Sequence, residues 1–502
     1  MLLLTIFLVG TLCRAADLKS APYESRIDLL PASLKVSTFV REKVSDDMIF
    51  IAPWSSGNIE KSQKYLGPHI FKADGELIWT GYGRFGNSVV NFMPSKGENG
   101  ETRMSFFEGN VAFAGIGLGT YRAMDNRFDT TQHIGLKASY LHDFHEIKFT
   151  GPDTAVFSTY NPVPYKMSKF KESAFEDGWV FDNIITEVNT TTDEVVFQWN
   201  SLDHVSVGDT MVKSQMKSHG GSNLDPFDYM HLNSIVKDDY GNYLISCRHL
   251  WSLYYIDGKT GDLIWTLSTG NVDGDWEVDD DATFGFQHDA NWVKPSSIGR
   301  SEEKNVKYIS LFDNEKTGSG ETAHRAYPRG MIIRLEEGKA RDSKKKGKVS
   351  LVKEYRLDTD KASPSQGSIQ VLENGNVFIG WGPNPVISEH LFNGSIIFKA
   401  SLPHATYKAY KSKFKGYPRE NMSILSAYDG DSDTTTLYIS WNGASEVEQW
   451  NVYSEEEFVT CTPKSGFETV LHIRGFKKSI EIDAIGDGMI LGHNKVKTYD
   501  TR

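Results

Sequence analysis

The sequence predicts an all-β chain, a six-bladed β-propeller with an additional C-terminal β-rich segment. Three observations carry that expectation. The 11 Trp, 22 Tyr, 28 Phe and 44 Gly suit aromatic strands punctuated by glycine turns better than long helices, whose interiors glycine weakens. A unit of the form turn, apolar strand, aromatic recurs, and a second turn-plus-strand pattern recurs beside it. At 502 residues, the chain exceeds one simple core and requires two domains or one large β architecture.

The repeated unit appears at Asp74-Gly-Glu-Leu-Ile-Trp79, Asp193-Glu-Val-Val-Phe-Gln-Trp199, Thr260-Gly-Asp-Leu-Ile-Trp265 and Phe392-Asn-Gly-Ser-Ile-Ile-Phe398. These read as outer strands of propeller blades. The intervals between their closing aromatics are 120, 66 and 133 residues, so the two long gaps each leave room for one more unit. Tyr121–Phe128 and Val349–Tyr355 fill them, giving six. Inner strands follow turns at Gly151–Phe157, Asp239–Ile245 and Glu373–Ile379. The expected organisation is 1–16 signal peptide, 17–45 N-terminal extension, 46–425 propeller and 426–502 C-terminal β-rich segment, the last either a small sandwich or strands that help close the ring.

The apolar stretch Met1–Leu12, ending at the small residues Ala15 and Ala16, reads as a signal peptide, with an uncleaved anchor as the alternative. Its twelve residues are too few to span a bilayer core of about 30 Å, and no later stretch approaches transmembrane length. A secreted or secretory-pathway protein is expected. Asn189, Asn393 and Asn421 begin glycosylation acceptor triplets that agree with it. Cys247 and Cys461 either pair or stay free, and neither has zinc-site spacing.

A formal net charge of −12 argues against nucleic acid as a partner, since phosphate binding needs clustered Lys and Arg. The one basic run, Lys344 to Lys348, reads as a solvated loop. The acidic run Asp273–Asp281 lacks the EF-hand pattern and reads the same way, calcium being the rival. P-loop, GxSxG and HExxH motifs are absent from the sequence, which removes the nucleotide, serine-hydrolase and common zinc-protease readings.

Three segments put a histidine beside polar partners in consecutive units: Asp143-Phe-His145-Glu146, His231-Leu-Asn233-Ser234 and Gln287-His288-Asp289-Ala290. The segment before each inner turn approaches the axis of a propeller, where innermost strands present their side chains. One such histidine reads as a structural cap; three in register, with Arg248 beside one of them, read as a converging site. An imidazole nucleophile, a second imidazole for proton transfer and a planar guanidinium for an oxyanion suit two-step group transfer. Asn233 and Asp289 are suited to orient the rings and set their tautomers. A neutral nucleophile implies that activity falls as pH drops through its pKa. Three imidazoles could also hold zinc or copper, but Arg248 would repel a cation; no metal and no cofactor are expected.

These segments, with Ser246-Cys-Arg248-His-Leu250, Phe312-Asp-Asn314, Ser365-Gln366-Gly-Ser-Ile-Gln370, Asn374–Gly382 and Tyr438–Gly443, resemble the arylsulfate sulfotransferases, most closely their secreted, largely fungal branch. Weaker matches at Phe50–Pro53 and Gly81–Arg84 extend the resemblance over most of the mature chain. It implies transfer of a sulfuryl group from an aryl sulfate to a phenol, through a transiently sulfated histidine and without a nucleotide sulfate donor. By motif order His288 matches the nucleophile, with His231 the alternative. His145, His231 and Arg248 match the groups that hold sulfate and handle the phenolic proton, while Glu146 and Gln366 join Asn233 and Asp289 as substrate-binding or orienting residues. The bacterial N-terminal β domain has no counterpart in this sequence. The competing class is a catalytically silent propeller that binds a ligand or protein partner, and a metal-dependent hydrolase stands third. Sequence leaves the oligomeric state open.

Overall fold

A computed structural model describes residues 22–54, 66–96, 100, 102–111, 115–135, 137, 142–316, 322–338, 346–359 and 361–500. The expected signal peptide and Lys344–Lys345 lie outside these residues. The chain is all-β: among the described residues the only helical elements are short 3-10 turns.

The strands assemble mainly as antiparallel meanders. Ser88–Lys96, Thr102–Val111, Gly117–Met124 and Thr130–Ile134 follow one another, as do His142–Phe149, Thr154–Tyr165, Gly178–Asn189 and Val195–Asn200; a single pair, Gly119 with His142, joins these two meanders into one sheet. The next meander is Leu232–Lys237, Tyr243–Cys247, Ser252–Ile256 and Leu263–Ser268, and the one after it runs His288–Val293, Val306–Asp313, Arg329–Glu336 and Gly347–Tyr355. Ser368–Val371, Val377–Gly380, Val386–His390 and Ile396–Ser401 form another. The remaining meander is completed from a distance, since Thr406–Ser412 pairs with Met48–Pro53, which continues through His69–Phe71 to Leu77–Thr80. Local turn chemistry repeats with the strands. At Gly241 (φ 87°) and Gly375 (φ 83°), the glycine N–H bonds back to Asp238 O and Leu372 O, a conformation that a Cβ disfavours.

Hydrophobic clusters lie between meanders, and alternate residues of one strand face opposite neighbours. Ile245 packs with Val156 and Ile185, whereas Leu244 packs with Ile309 and Met331. Ile332 meets Ile369 and Ile379; Phe378 and Phe398 meet Ile49 and Ile51; Phe50 and Trp79 meet Phe92 and Phe106; and Phe107 meets Ile147 and Phe157. The packing partners therefore run in a cycle. The marker aromatics Trp79, Trp199, Trp265 and Phe398 are all buried in these layers.

Several expectations need correction. Tyr121–Phe128 covers a third strand and a turn, and the outermost strand there is Thr130–Ile134. The strands after Gly151, Asp239 and Glu373 are second in their meanders; the histidine-bearing strands precede them. Within the expected N-terminal extension, Lys35–Phe39 adds to the edge of Ile396–Ser401. From Ser423 onward the chain forms two four-stranded sheets that share a core of Leu437, Ile439, Trp450, Val452, Ile480 and Ile482. Cys247 is buried, Cys461 is exposed and both are free. The acidic run pairs with the basic one through Asp273–Lys346 at 2.7 Å and Asp279–Lys348 at 3.3 Å.

Candidate functional site

The meanders bring the three predicted histidines together from sequence positions 143 residues apart at the extremes. His145 lies in the His142–Phe149 strand, His231 immediately precedes Leu232–Lys237, and His288 opens His288–Val293; all three are buried. The His145 and His231 rings lie 4.6 Å apart between centroids, at 80°. Tyr407 bridges to the third ring, edge-on to His145 at 5.7 Å and to His288 at 6.4 Å. His231 holds a left-handed backbone, φ 54°, which costs a non-glycine residue roughly 1–2 kcal/mol. Such strain collects at functional positions.

A fourth imidazole completes the cluster. His249 lies 4.7 Å from His231, and its Nε2 accepts a hydrogen bond from Arg248 Nη1 at 2.7 Å. Arg248 also donates from Nη2 to Pro364 O at 2.9 Å and lies 5.1 Å above the Phe286 ring.

Every one of the four rings has an oxygen acceptor at Nδ1. His145 meets Asp143 Oδ1 at 2.5 Å, His231 meets Asp228 Oδ2 at 2.5 Å, His249 meets Asp228 O at 2.7 Å and His288 meets Asn314 Oδ1 at 2.7 Å. The amide of Asn314 is oriented by its own donations to Ser363 O and Gln366 O. Each neutral ring therefore carries its proton on Nδ1 and its lone pair on Nε2. At His288 that lone pair accepts from Gln366 N–H at 3.1 Å; at His145 and His231, Nε2 has no hydrogen-bond partner among the described residues.

Electrostatics keep these rings uncharged. Burial, with Arg248 and the neighbouring imidazoles adding to it, holds His288 well below the usual imidazole range. Burial, His145 and Arg248 do the same to His231. His249 is pushed down to about 3 by burial, against the pull of Asp228. Asp228, His231 and His249 are near enough for one atom of each to reach a common ion. The Arg248 charge on His249 Nε2 opposes that use.

The ring-orienting role expected of Asn233 and Asp289 belongs instead to Asp143, Asp228 and Asn314. Asn233 Nδ2 donates to Gln287 O at 2.7 Å, tying neighbouring first strands. Asp289 and Glu146 both turn toward Lys408, at 3.3 and 3.1 Å, and Asp289 also accepts from Tyr410 Oη at 3.1 Å and from Ile369 N at 3.0 Å. This buried triad joins three strands that are not neighbours in the cycle. Burial works against the Lys408 charge, but Glu146 and Asp289 together outweigh it and raise its pKa. Gln366 reaches His288 through its backbone, while its side chain accepts from Trp54 Nε1 at 3.3 Å.

Asp143 and Asp228 stand two and three residues before their histidines and were visible in sequence as local partners. His249 lay beside Arg248 in a motif already marked. Tyr407 and Lys408 gave no sequence signal, because what selects them is a strand pairing with residues more than 350 positions away.

The site is a buried cluster of neutral imidazoles with one guanidinium, arranged on first strands of packed β meanders. The profile of the arylsulfotransferase (ASST) family matches residues 99–402, more than half of the chain, and the chain belongs to that family. No curated protein matches it. Among solved structures, it is similar to a protein of unknown function from Bacteroides caccae, at 11% identity over 75% of this chain and 100% of that one, TM-score 0.39. It is also similar to the β-propeller domain of Myceliophteria thermophila Cps50 (Swd1), at 8% identity over 82% and 98%, TM-score 0.32. For Kuenenia stuttgartiensis hydrazine synthase the figures are 11%, 81% and 89%, TM-score 0.33. Among the described residues, no helix is long and apolar enough to cross a membrane.

Proposed function

We propose that the chain is a six-bladed β-propeller enzyme that transfers a sulfuryl group from an aryl sulfate to a phenol through a sulfohistidine. The cyclic order of the packed meanders supports the propeller reading. The observation that carries the chemistry is the shared tautomer of the buried imidazoles, each with Nδ1–H held and Nε2 unprotonated.

His288 is the nucleophile in this reading. Its Nε2 attacks sulfur, the bond from sulfur to the aryl oxygen breaks, and the electron pair leaves on that oxygen. The Gln366 N–H that now meets Nε2 shifts its hydrogen bond to a sulfuryl oxygen, and Arg248 offsets the charge of the oxyanion. One Asp-backed imidazole, His145 or His231, carries the proton: its Nε2–H protonates the leaving phenolate, and the neutral ring takes a proton from the accepting phenol as the second half runs in reverse. The carboxylate at Nδ1 stabilises the imidazolium formed in between. Splitting the displacement in two lets each half use the same groups.

We place this enzyme in the secretory pathway, on the strength of its N-terminal sequence and three acceptor asparagines on turns or loops. Asn393 and Asn421 are exposed and Asn189 is half-buried. Intact-mass measurement before and after deglycosylation tests this.

The test of the activity is para-nitrophenolate release from para-nitrophenyl sulfate by the purified protein, with and without added phenol. Release that rises with phenol, survives EDTA and is lost in His288→Ala supports the proposal. Loss with EDTA would replace it with a metal-dependent hydrolase. No release from this or other aryl sulfates would leave a ligand-binding propeller.

A further inference from the structure

The cluster is rich in acceptors and short of donors. Four imidazoles present or spend lone pairs at Nε2, whereas a sulfuryl group brings three oxygens that all need donors. Arg248 and the Gln366 N–H supply part of that requirement. Tyr407, on the Thr406–Ser412 strand, is the remaining O–H beside the rings. It is 1% exposed, edge-on to both His145 and His288, and its hydroxyl has no hydrogen-bond partner among the described residues.

An unpaired buried hydroxyl costs stability, and buried polar groups almost always find a partner. Nearby Tyr160 shows the usual outcome, donating to Leu232 O at 2.7 Å. We propose that Tyr407 is a catalytic residue whose hydroxyl donates a hydrogen bond to a sulfuryl oxygen while sulfur passes between the aryl oxygen and the histidine. The inference rests on the sulfuryl-transfer reading. No proton leaves Tyr407 and no bond to it forms. Burial, with Glu146, Asp143 and Asp289 adding to it, raises its pKa well above the ordinary phenol value against the opposing pull of Arg248, so the O–H stays available to donate.

Tyr407→Phe removes one oxygen and keeps the ring contacts. Its transfer from para-nitrophenyl sulfate to phenol should fall about 100-fold, the scale of losing one oxyanion donor. Inorganic sulfate, titrated calorimetrically, should bind about 10-fold more weakly. Thermal stability should hold or rise, because a hydroxyl that the fold leaves unpaired is removed. Wild-type transfer rates in Tyr407→Phe would overturn this role while leaving sulfuryl transfer intact. A variant that melts earlier or fails to fold would also overturn it, since the hydroxyl would then serve the fold. A wild-type protein that neither transfers nor binds sulfate would overturn the sulfuryl-transfer reading itself, and this role with it.

Discussion

Arg248 donates to His249 Nε2 over 2.7 Å, and His249 in turn holds the carbonyl of Asp228 through Nδ1, so the one guanidinium of the cluster is aimed by a neighbouring neutral ring. That ring also sits against His231, whose own Nδ1 is held by the Asp228 carboxylate. Arg248, His249, Asp228 and His231 thus form one connected unit. Within it, His249 acts through Arg248 and is a positioning residue.

His249→Leu removes the acceptor and should lower turnover roughly 10- to 100-fold, the worth of a hydrogen bond to a charged group. His249→Gln, whose amide oxygen can accept from Arg248, should recover most of it. Steady-state kinetics should show the loss in kcat more than in KM, because an oxyanion contact strengthens in the transition state. Equal losses in both variants would remove the positioning role.

Asn314 fixes the tautomer of His288. Asn314→Leu leaves Nδ1 without its acceptor and frees the ring to carry its proton on Nε2, the atom that must attack. A drop of about 100-fold or more in transfer is expected, in line with the cost of a wrong imidazole tautomer elsewhere. Asn314→Asp keeps an oxygen at Nδ1 and should retain more activity than Asn314→Leu. Trapping the sulfated protein after acid-free quenching and mapping the modified residue by mass spectrometry would assign the nucleophile between His288 and His231.

The acid limb of activity should lie well below pH 6.5, because burial and Arg248 hold His288 and His231 neutral there. Stability should respond earlier. His69 and His390 are fully buried with pKa values lowered to about 4, and both ring nitrogens of His69 are spent, one accepting from Ala32 N at 2.9 Å. A group whose folded pKa is depressed takes up its proton more readily in the unfolded chain. Its contribution is therefore complete above the unfolded value near 6.5 and is lost as pH falls from there toward the folded pKa. Each such histidine contributes up to ~1.4 kcal/mol per pH unit in that window. Urea midpoints should decline from pH 6.5 to 4.5 and stay level, as far as these groups go, from 6.5 to 7.5.

The Lys408 triad should be structural. Lys408→Met leaves Glu146 and Asp289 as buried carboxylates without their cation, and breaking a buried pair from one side costs about 3–5 kcal/mol. Chemical denaturation of Lys408→Met should show that loss, and Glu146→Gln added to it should return part of the stability. Unchanged stability in the single variant would mean that the two carboxylates are neutral in the folded protein.

What sequence determined was local and periodic. The turn signals and alternating strands fixed the all-β class, and the spacing of units set His145, His231 and His288 on first strands in equivalent positions, because a strand-turn-strand unit carries its register with it. The Arg248 position, 17 residues after His231, is likewise set by one hairpin. Tertiary structure decided everything that needed two distant segments. Met48–Pro53 is closed by Thr406–Ser412, which brings Tyr407 between two histidines and sends Lys408 to Glu146 and Asp289. Those carboxylates sit beside histidines in sequence, yet alternate side chains of a strand point to opposite faces, so adjacency gave them the wrong partner. Asn314 became the partner of His288 only when the Val306–Asp313 strand returned alongside it. Periodicity tells a residue which face it takes; only the packed ring decides what waits on that face.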